Sequence, residues 1–285
     1  RGAVRRVVGV AVLLCALVAP GGVGASELID RNASGVRLQV NGRGEALLSY
    51  VKAGERRNVL VWGALNAIFP SQSRRQVKFS LDYRGGWGKY RDASYWRRFR
   101  DVCGPYRGPR LAWLVTACTA PDGTHWAVQS WQRVLPNYGV APSPERAVWE
   151  LRLSHFDGVL AELEVHVNWA YRRFDHIFGR YSYKGRPIHG FASTAKGEPL
   201  DSHGRNIYVD TYNSAYGPGW RRDNGFLTHR PTGTFCYGFY RHPPYPSGMG
   251  ERYRATVIGP GVTPDIMWEG APLGPYDPAR DLAIH

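Results

Sequence analysis

Hydrophobic and polar residues alternate along many short stretches of this chain, as in β-strands with one buried face. The clearest case is 76–83, where Val77, Phe79 and Leu81 share one face. Turn-forming residues separate these stretches, including Asn41-Gly42 and Gly85-Gly86. We predict strands at 36–40, 46–51, 58–65, 76–83, 111–118, 125–134, 177–184, 188–193, 206–212, 234–241 and 252–258, and a hairpin at 148–169.

One segment has helical spacing instead. Asp92 is a suitable N-cap, and Tyr95, Trp96, Phe99 and Val102 recur as on one face of a helix. Many short strands with a single helix predict an all-β fold, an antiparallel β-sandwich of jelly-roll type with one short helix near 92–102.

The first 25 residues have the pattern of a secretory signal peptide. A basic head with Arg1, Arg5 and Arg6 precedes an apolar run, and small residues precede Ser26. The run has about 12 residues, whereas a bilayer requires about 20, so we expect no transmembrane anchoring. We therefore expect a secreted protein whose residues 26–285 form one β-sandwich domain, or two lobes divided near the proline-rich segment 136–146.

The net charge of the sequence indicates which class of partner the protein binds. Without the three arginines of the signal segment, the sequence has 34 basic and 23 acidic residues, which gives a net charge of +11. In a secreted protein this excess favours acidic polysaccharides or other anionic polymers of the cell envelope. GC-rich codon usage would explain the high ratio of arginine to lysine, but it does not explain the excess charge.

Two glycine-rich segments, 83–91 and 216–222, place aromatic rings beside cations and are predicted to be binding loops. Aromatic rings stack on sugars, and arginine binds carboxylates and phosphates. The same combination of rings and arginines would also suit single-stranded nucleic acid, but secretion makes nucleic acid the less expected partner. The candidate ligand-binding residues are Trp87, Tyr90, Arg91, Arg152, Trp220 and Arg221. Packed aromatic side chains with solvated arginines would give the same pattern.

The predicted hairpin 148–169 contains the candidate catalytic residues Glu150, Glu164 and His166. Matching its apolar faces places Glu150 opposite Glu164 with a three-residue loop, or opposite Glu162 with a five-residue loop. Opposed carboxylates raise each other's pKa and suit glycoside hydrolysis. A salt-bridge network around Arg152 on a solvated face is the alternative interpretation.

A second polar cluster contains Asp201, His203 and Asp210, which would have to converge in the fold to bind a metal. Turn and strand roles explain these residues equally well. The chain contains no glycine-rich phosphate loop and no His-Glu-x-x-His motif, so we expect no cofactor and no metal.

Three cysteines follow the signal segment. In an oxidising compartment we expect a disulfide between Cys103 and Cys118, which are close in sequence, with Cys236 a small buried residue. The combined expectation is a secreted, non-catalytic protein that binds an extracellular glycan or an anionic envelope polymer. A glycan-cleaving enzyme and a secreted structural or interaction protein are the alternatives.

Overall fold

The computed structural model describes residues 26–69, 73–74, 76–133, 147–170, 174–188, 207–223, 225–229, 232–239, 250–272 and 277–282. The described chain is mostly β-strand (56%) in several antiparallel sheets, with almost no helix, which confirms the predicted all-β sandwich class. The predicted signal segment and the whole of the proline-rich segment 136–146 lie outside the described residues.

The strands are β1 (Glu27–Arg31), β2 (Ser34–Val40), β3 (Glu45–Lys52), β4 (Glu55–Gly63), β5 (Phe79–Asp82), β6 (Gly104–Pro105), β7 (Leu114–Thr119), β8 (His125–Arg133), β9 (Val148–Phe156), β10 (Glu162–Ala170), β11 (Phe174–Tyr183), β12 (Arg186–Pro187), β13 (Ile207–Ser214), β14 (Gly217–Arg222), β15 (Gly225–His229), β16 (Thr234–Phe239), β17 (Arg252–Val257), β18 (Ile266–Gly270) and β19 (Asp281–Leu282). Helix α1 spans Trp87–Tyr90, and 3₁₀ turns lie at Tyr95–Arg97 and Pro278–Arg280.

Two pairs of sheets enclose two separate apolar cores. The sheet β1-β9-β8-β7-β6 packs on the sheet β2-β3-β4-β5, with buried Trp126 and Leu153 facing Leu48 and Val61. The sheet β15-β16-β11-β10-β19, with β12 beside β11, packs on the sheet β14-β13-β17-β18. In β8, for example, the alternate residues Trp126 and Val128 belong to the first core, as the sequence pattern requires.

The predicted hairpin at 148–169 does not form. β9 lies between β1 and β8 in the first sandwich, whereas β10 pairs with β11 in the second. Most of β9 is buried on both faces, so a pattern with one solvated face does not describe it. The chain therefore passes from the first sandwich to the second between β9 and β10.

The helical pattern near 92–102 yields only the 3₁₀ turn at Tyr95–Arg97, and α1 lies just before it. The end of β2 holds the C-terminal part of this segment in extended form. The amide of Val102 donates to the carbonyl of Val40 over 2.8 Å, and the amide of Val40 donates to the Asp101 carboxylate over 3.0 Å. These tertiary bonds outweigh the helical spacing.

The loop between β17 and β18 joins the second sandwich to the first. The Val262 carbonyl accepts a hydrogen bond from the amide of His155 in β9. In the same loop Gly259 accepts a hydrogen bond of 2.6 Å from the hydroxyl of Tyr181 in β11. Because this loop contacts both sandwiches, it fixes strands β17 and β18 relative to β8 and β9.

The disulfide between Cys103 and Cys118 is present, as predicted, with a Cα–Cα distance of 5.7 Å. It links the segment that enters β6 to the neighbouring strand β7. Cys236 lies outside this disulfide, as predicted, but it is half-buried rather than buried.

His155 makes the stability of this fold sensitive to acid. Burial lowers the pKa of its imidazole to about 4, although a bond with the Ala64 carbonyl and the charge of Asp122 oppose the shift. The unfolded chain takes up this proton near pH 6.5, so folding stability decreases as the pH falls from about 6.5 to about 4.

We expect His155 to account for a loss of about 3 kcal/mol across this range. Urea denaturation of the wild type and of His155→Gln at several pH values measures it. The variant should show a shallower slope, although His125 and His176, whose pKa values burial also lowers, still contribute. Equal slopes would contradict the assignment.

Candidate functional site

Glu150 lies in a buried ion-pair network rather than opposite another glutamate. Its neighbours across the sheet are Arg31 and Trp131. Its carboxylate accepts hydrogen bonds from Arg152 at 2.8 and 3.1 Å and from Arg31 at 3.2 and 3.3 Å. The Glu150 side chain has no exposed surface. The expectation of opposed glutamates is therefore wrong.

Arg152 is also part of this network. Its side chain is 8% exposed, its Nη1 donates to the carbonyl of Ser26, and its Nε lies 3.8 Å from the Asp265 carboxylate. Burial raises the pKa of Asp265, while Arg152, Ser26, Trp131 and the Gly259 amide oppose that shift. The salt-bridge network around Arg152 exists, but inside the protein and with Asp265 instead of Glu164.

Glu164 and His166 occupy an exposed face of β10. Glu164 lies opposite Arg180 of β11, and its carboxylate is 2.8 Å from Nε2 of His166. The His166 ring stacks on Phe178, which stacks in turn on His176, and Nε2 of His176 contacts the Cys236 thiol. This row belongs to the second sandwich, so the structure does not bring Glu164 to Glu150.

Trp87, Tyr90 and Arg91 lie at helix α1, against the first sandwich. Glu45 of β3 accepts hydrogen bonds from the hydroxyl of Tyr90 and, over 2.7 Å, from Lys89. Burial raises the pKa of Glu45, but these bonds and those from Asn41 and Tyr95 outweigh it and hold the pKa at about 2. The polar groups of this cluster bond to one another, and Trp87 remains exposed.

Cations and aromatic rings alternate over one face of the sheet β14-β13-β17-β18. Directly opposed residues of neighbouring strands share a face, and the register places Asp210 beside both Arg222 and Arg254, and Tyr212 beside both Trp220 and Arg252. We call this set the arginine–aromatic face: Tyr208, Asp210, Tyr212, Trp220, Arg222, Arg252, Arg254 and Glu269. The opposite face of the sheet carries apolar core residues, including Val209, Tyr253 and Val257.

The cations of this face lie over its rings. Arg252 is 4.6 Å from the ring centre of Tyr212 and 5.3 Å from that of Trp220. Arg254 lies 4.4 Å from Trp220 and 5.4 Å from Trp113 of the first sandwich. Arg222 is 4.4 Å from Tyr208. Such contacts hold guanidinium groups and rings in fixed positions.

Ion pairs complete the face. Arg222 contacts one oxygen of Asp210 at 2.8 Å, and Arg254 donates to the other oxygen at 3.0 Å. Arg252 pairs with Glu269 at 2.5 Å. Three arginines thus share two carboxylates, and the face keeps a net positive charge.

The structure reassigns part of the predicted ligand-binding set. Trp220 belongs to the arginine–aromatic face, but segment 217–222 is strand β14 rather than a loop, because it pairs with β13. Arg221 lies opposite Thr211 and therefore points to the other side of the sheet. Sequence reasoning missed Arg222, Arg252 and Arg254, although the spacing Arg252-x-Arg254 within a predicted strand indicated a shared face.

The proposed metal cluster is not assembled in the described part of the chain. Asp210 instead pairs with two arginines, while Asp201 and His203 lie outside the described residues. The described residues contain no group of three or more histidine, cysteine, aspartate or glutamate side chains suited to a metal.

Comparison of the chain with known protein families, with curated proteins and with solved structures finds no match. Within the described residues, no helix has the length and apolar character needed to cross a bilayer.

The buried network predicts that Glu150 is essential for stability. Glu150→Gln removes the charge that Arg152 and Arg31 share, and breaking a buried pair in this way costs about 3 kcal/mol. Urea denaturation should show this loss. The control Glu164→Gln, at a carboxylate whose side chain is 64% exposed, should change stability by less than about 0.5 kcal/mol. Equal effects of the two substitutions would contradict the structural role of Glu150.

Proposed function

We propose that the protein is a secreted, non-catalytic binding protein for an extracellular glycan that carries anionic groups, or for an anionic polymer of the cell envelope. The observation that carries this proposal is the arginine–aromatic face. Its half-buried rings Tyr208, Tyr212 and Trp220 alternate with Arg222, Arg252 and Arg254. Rings of this kind stack on sugar faces, and guanidinium groups bind the carboxylates or phosphates between them.

Charge supports the same class of ligand. Without the three arginines of the predicted signal segment, 34 basic and 23 acidic residues give a net charge of +11, which attracts polyanions. Secretion is supported by the pattern of residues 1–25 and by the disulfide between Cys103 and Cys118, since disulfides persist in oxidising compartments.

A glycoside hydrolase is less favoured, because the two carboxylates on which that alternative rested lie in different sheets. Glu150 is bound on both sides by arginines inside the first sandwich. A binding function requires no such pair and uses the exposed part of the arginine–aromatic face.

The proposal predicts that the protein binds an acidic polysaccharide, such as polygalacturonate, more tightly than a neutral polysaccharide of similar length. Isothermal titration calorimetry at low salt measures both affinities. The preference should weaken as salt rises, because exposed charges are screened over about 8–10 Å near physiological ionic strength. Equal affinities for both polymers would contradict the proposal.

Two substitutions locate the binding surface. Trp220→Ala removes a stacking ring and should weaken binding by about fivefold or more. Arg252→Gln removes an exposed cation and should weaken binding by about threefold at low salt. The matched control is Arg57→Gln, an exposed arginine of β4 that pairs with Glu55 as Arg252 pairs with Glu269.

The control should bind like the wild type, because it carries the same change of charge on another sheet. Thermal unfolding of all three variants shows whether each one is folded. If Arg57→Gln weakened binding as much as Arg252→Gln, the effect would come from total charge and not from this face.

A further inference from the structure

Charge is out of balance at one point of the arginine–aromatic face. The side chains of Arg222, Arg254 and Asp210 are 2%, 10% and 4% exposed, so two cations share one carboxylate away from water. Glu269, opposite Arg254, pairs instead with Arg252. Asp223 lies just beyond β14, and its amide donates to the carbonyl of Val209 in β13 over 3.0 Å, so the alternation of the strand continues and places it on the other face from Arg222. The described part of this face therefore has one buried positive charge in excess.

Arg222 also has donors without acceptors. Its Nε lies 2.8 Å from Asp210 as an ion pair, but Nε, Nη1 and Nη2 are all buried and have no hydrogen-bond partner among the described residues. Burying a charge, or a donor without an acceptor, is unfavourable unless a partner is bound. A guanidinium with a free Nη1–Nη2 edge fits a group that presents two oxygens, as in bidentate pairs with carboxylates and phosphates.

We propose that Arg222 forms a subsite for a monoanionic oxyanion of the ligand, with Arg254 adding charge and Tyr208 bordering the subsite. This inference rests on the proposed function, since the oxyanion belongs to the anionic glycan or polymer. One negative charge balances the two arginines and Asp210. The Cζ of Arg222 lies 4.4 Å from the ring centre of Tyr208, which is half-buried, and the ligand would have to enter beside this ring.

Two sources supply a monoanionic oxyanion: the carboxylate of a uronic acid and the phosphodiester of a polyol-phosphate polymer. The experiment therefore uses three probes, namely an oligogalacturonate, the same oligosaccharide with its carboxyl groups reduced, and a glycerol-phosphate oligomer. Calorimetry measures binding of each probe to the wild type, to Arg222→Gln and to the matched control Arg252→Gln.

We expect the wild type to bind one anionic probe at least about tenfold more tightly than the neutral one, and Arg222→Gln to lose this preference. The anionic probe that is preferred identifies the source. Arg252→Gln should weaken binding less, and its effect should disappear at high salt, because Arg252 is exposed.

Unfolding without ligand separates binding from a structural role. Because Arg222→Gln removes the excess buried charge, the variant should be as stable as the wild type or more stable. A variant that is destabilised yet keeps its preference for the anionic probe would overturn the subsite and leave the proposed function intact.

Wild-type protein alone also tests the subsite, even if the variant does not fold. Equal binding of the anionic and reduced oligosaccharides, with no binding of the phosphate oligomer, would overturn it. Absence of binding to all three probes by the wild type would instead contradict the proposed function itself.

Discussion

The carboxylate of Asp265 is the point on which the arrangement of this fold depends. Its Oδ2 accepts a hydrogen bond of 2.7 Å from the indole of Trp131, and its Oδ1 accepts one of 3.1 Å from the amide of Gly259. The backbone of Asp265 exchanges two further bonds of 2.9 Å with the side-chain amide of Gln129. A buried carboxylate is costly unless it is paired and hydrogen-bonded. These bonds therefore specify one position for the loop that carries it.

That position determines the geometry of the arginine–aromatic face. The loop leaves β17 and enters β18, so fixing Asp265 against β8 also fixes Arg252 and Arg254 relative to the first sandwich. The contact continues through rings, because Trp131 lies 5.9 Å from Tyr208 and 5.7 Å from Trp113, which faces Arg254. A buried network in one sandwich thus positions the cations and rings of the other.

Local pattern predicted the strands well, because alternation reports which side chains share a face. Strands such as β3, β8 and β17 and the disulfide follow from neighbouring residues alone. The pairing between strands that are distant in sequence does not follow from neighbouring residues. The prediction of a hairpin at 148–169 was wrong because most of β9 is buried on both faces. The polar residues of β9 therefore do not indicate which face is exposed to solvent. Sequence analysis missed the arginine–aromatic face because Arg222 and Arg254 are 32 positions apart in sequence and lie on different strands. They come close only because both strands pair with β13.

The two buried ion clusters differ in charge, and this difference separates stability from binding. Around Glu150, two arginines meet two carboxylates, since Asp265 lies beside Arg152, and the side chain of Arg31 is 49% exposed. Around Asp210, two buried arginines meet one carboxylate. Stability alone explains the first cluster, because its charges compensate one another within the fold. It does not explain the second, where the unmatched donors of Arg222 lie on the same sheet face as the stacking rings. The unbalanced cluster is therefore better explained by a bound anion than by the packing of the fold.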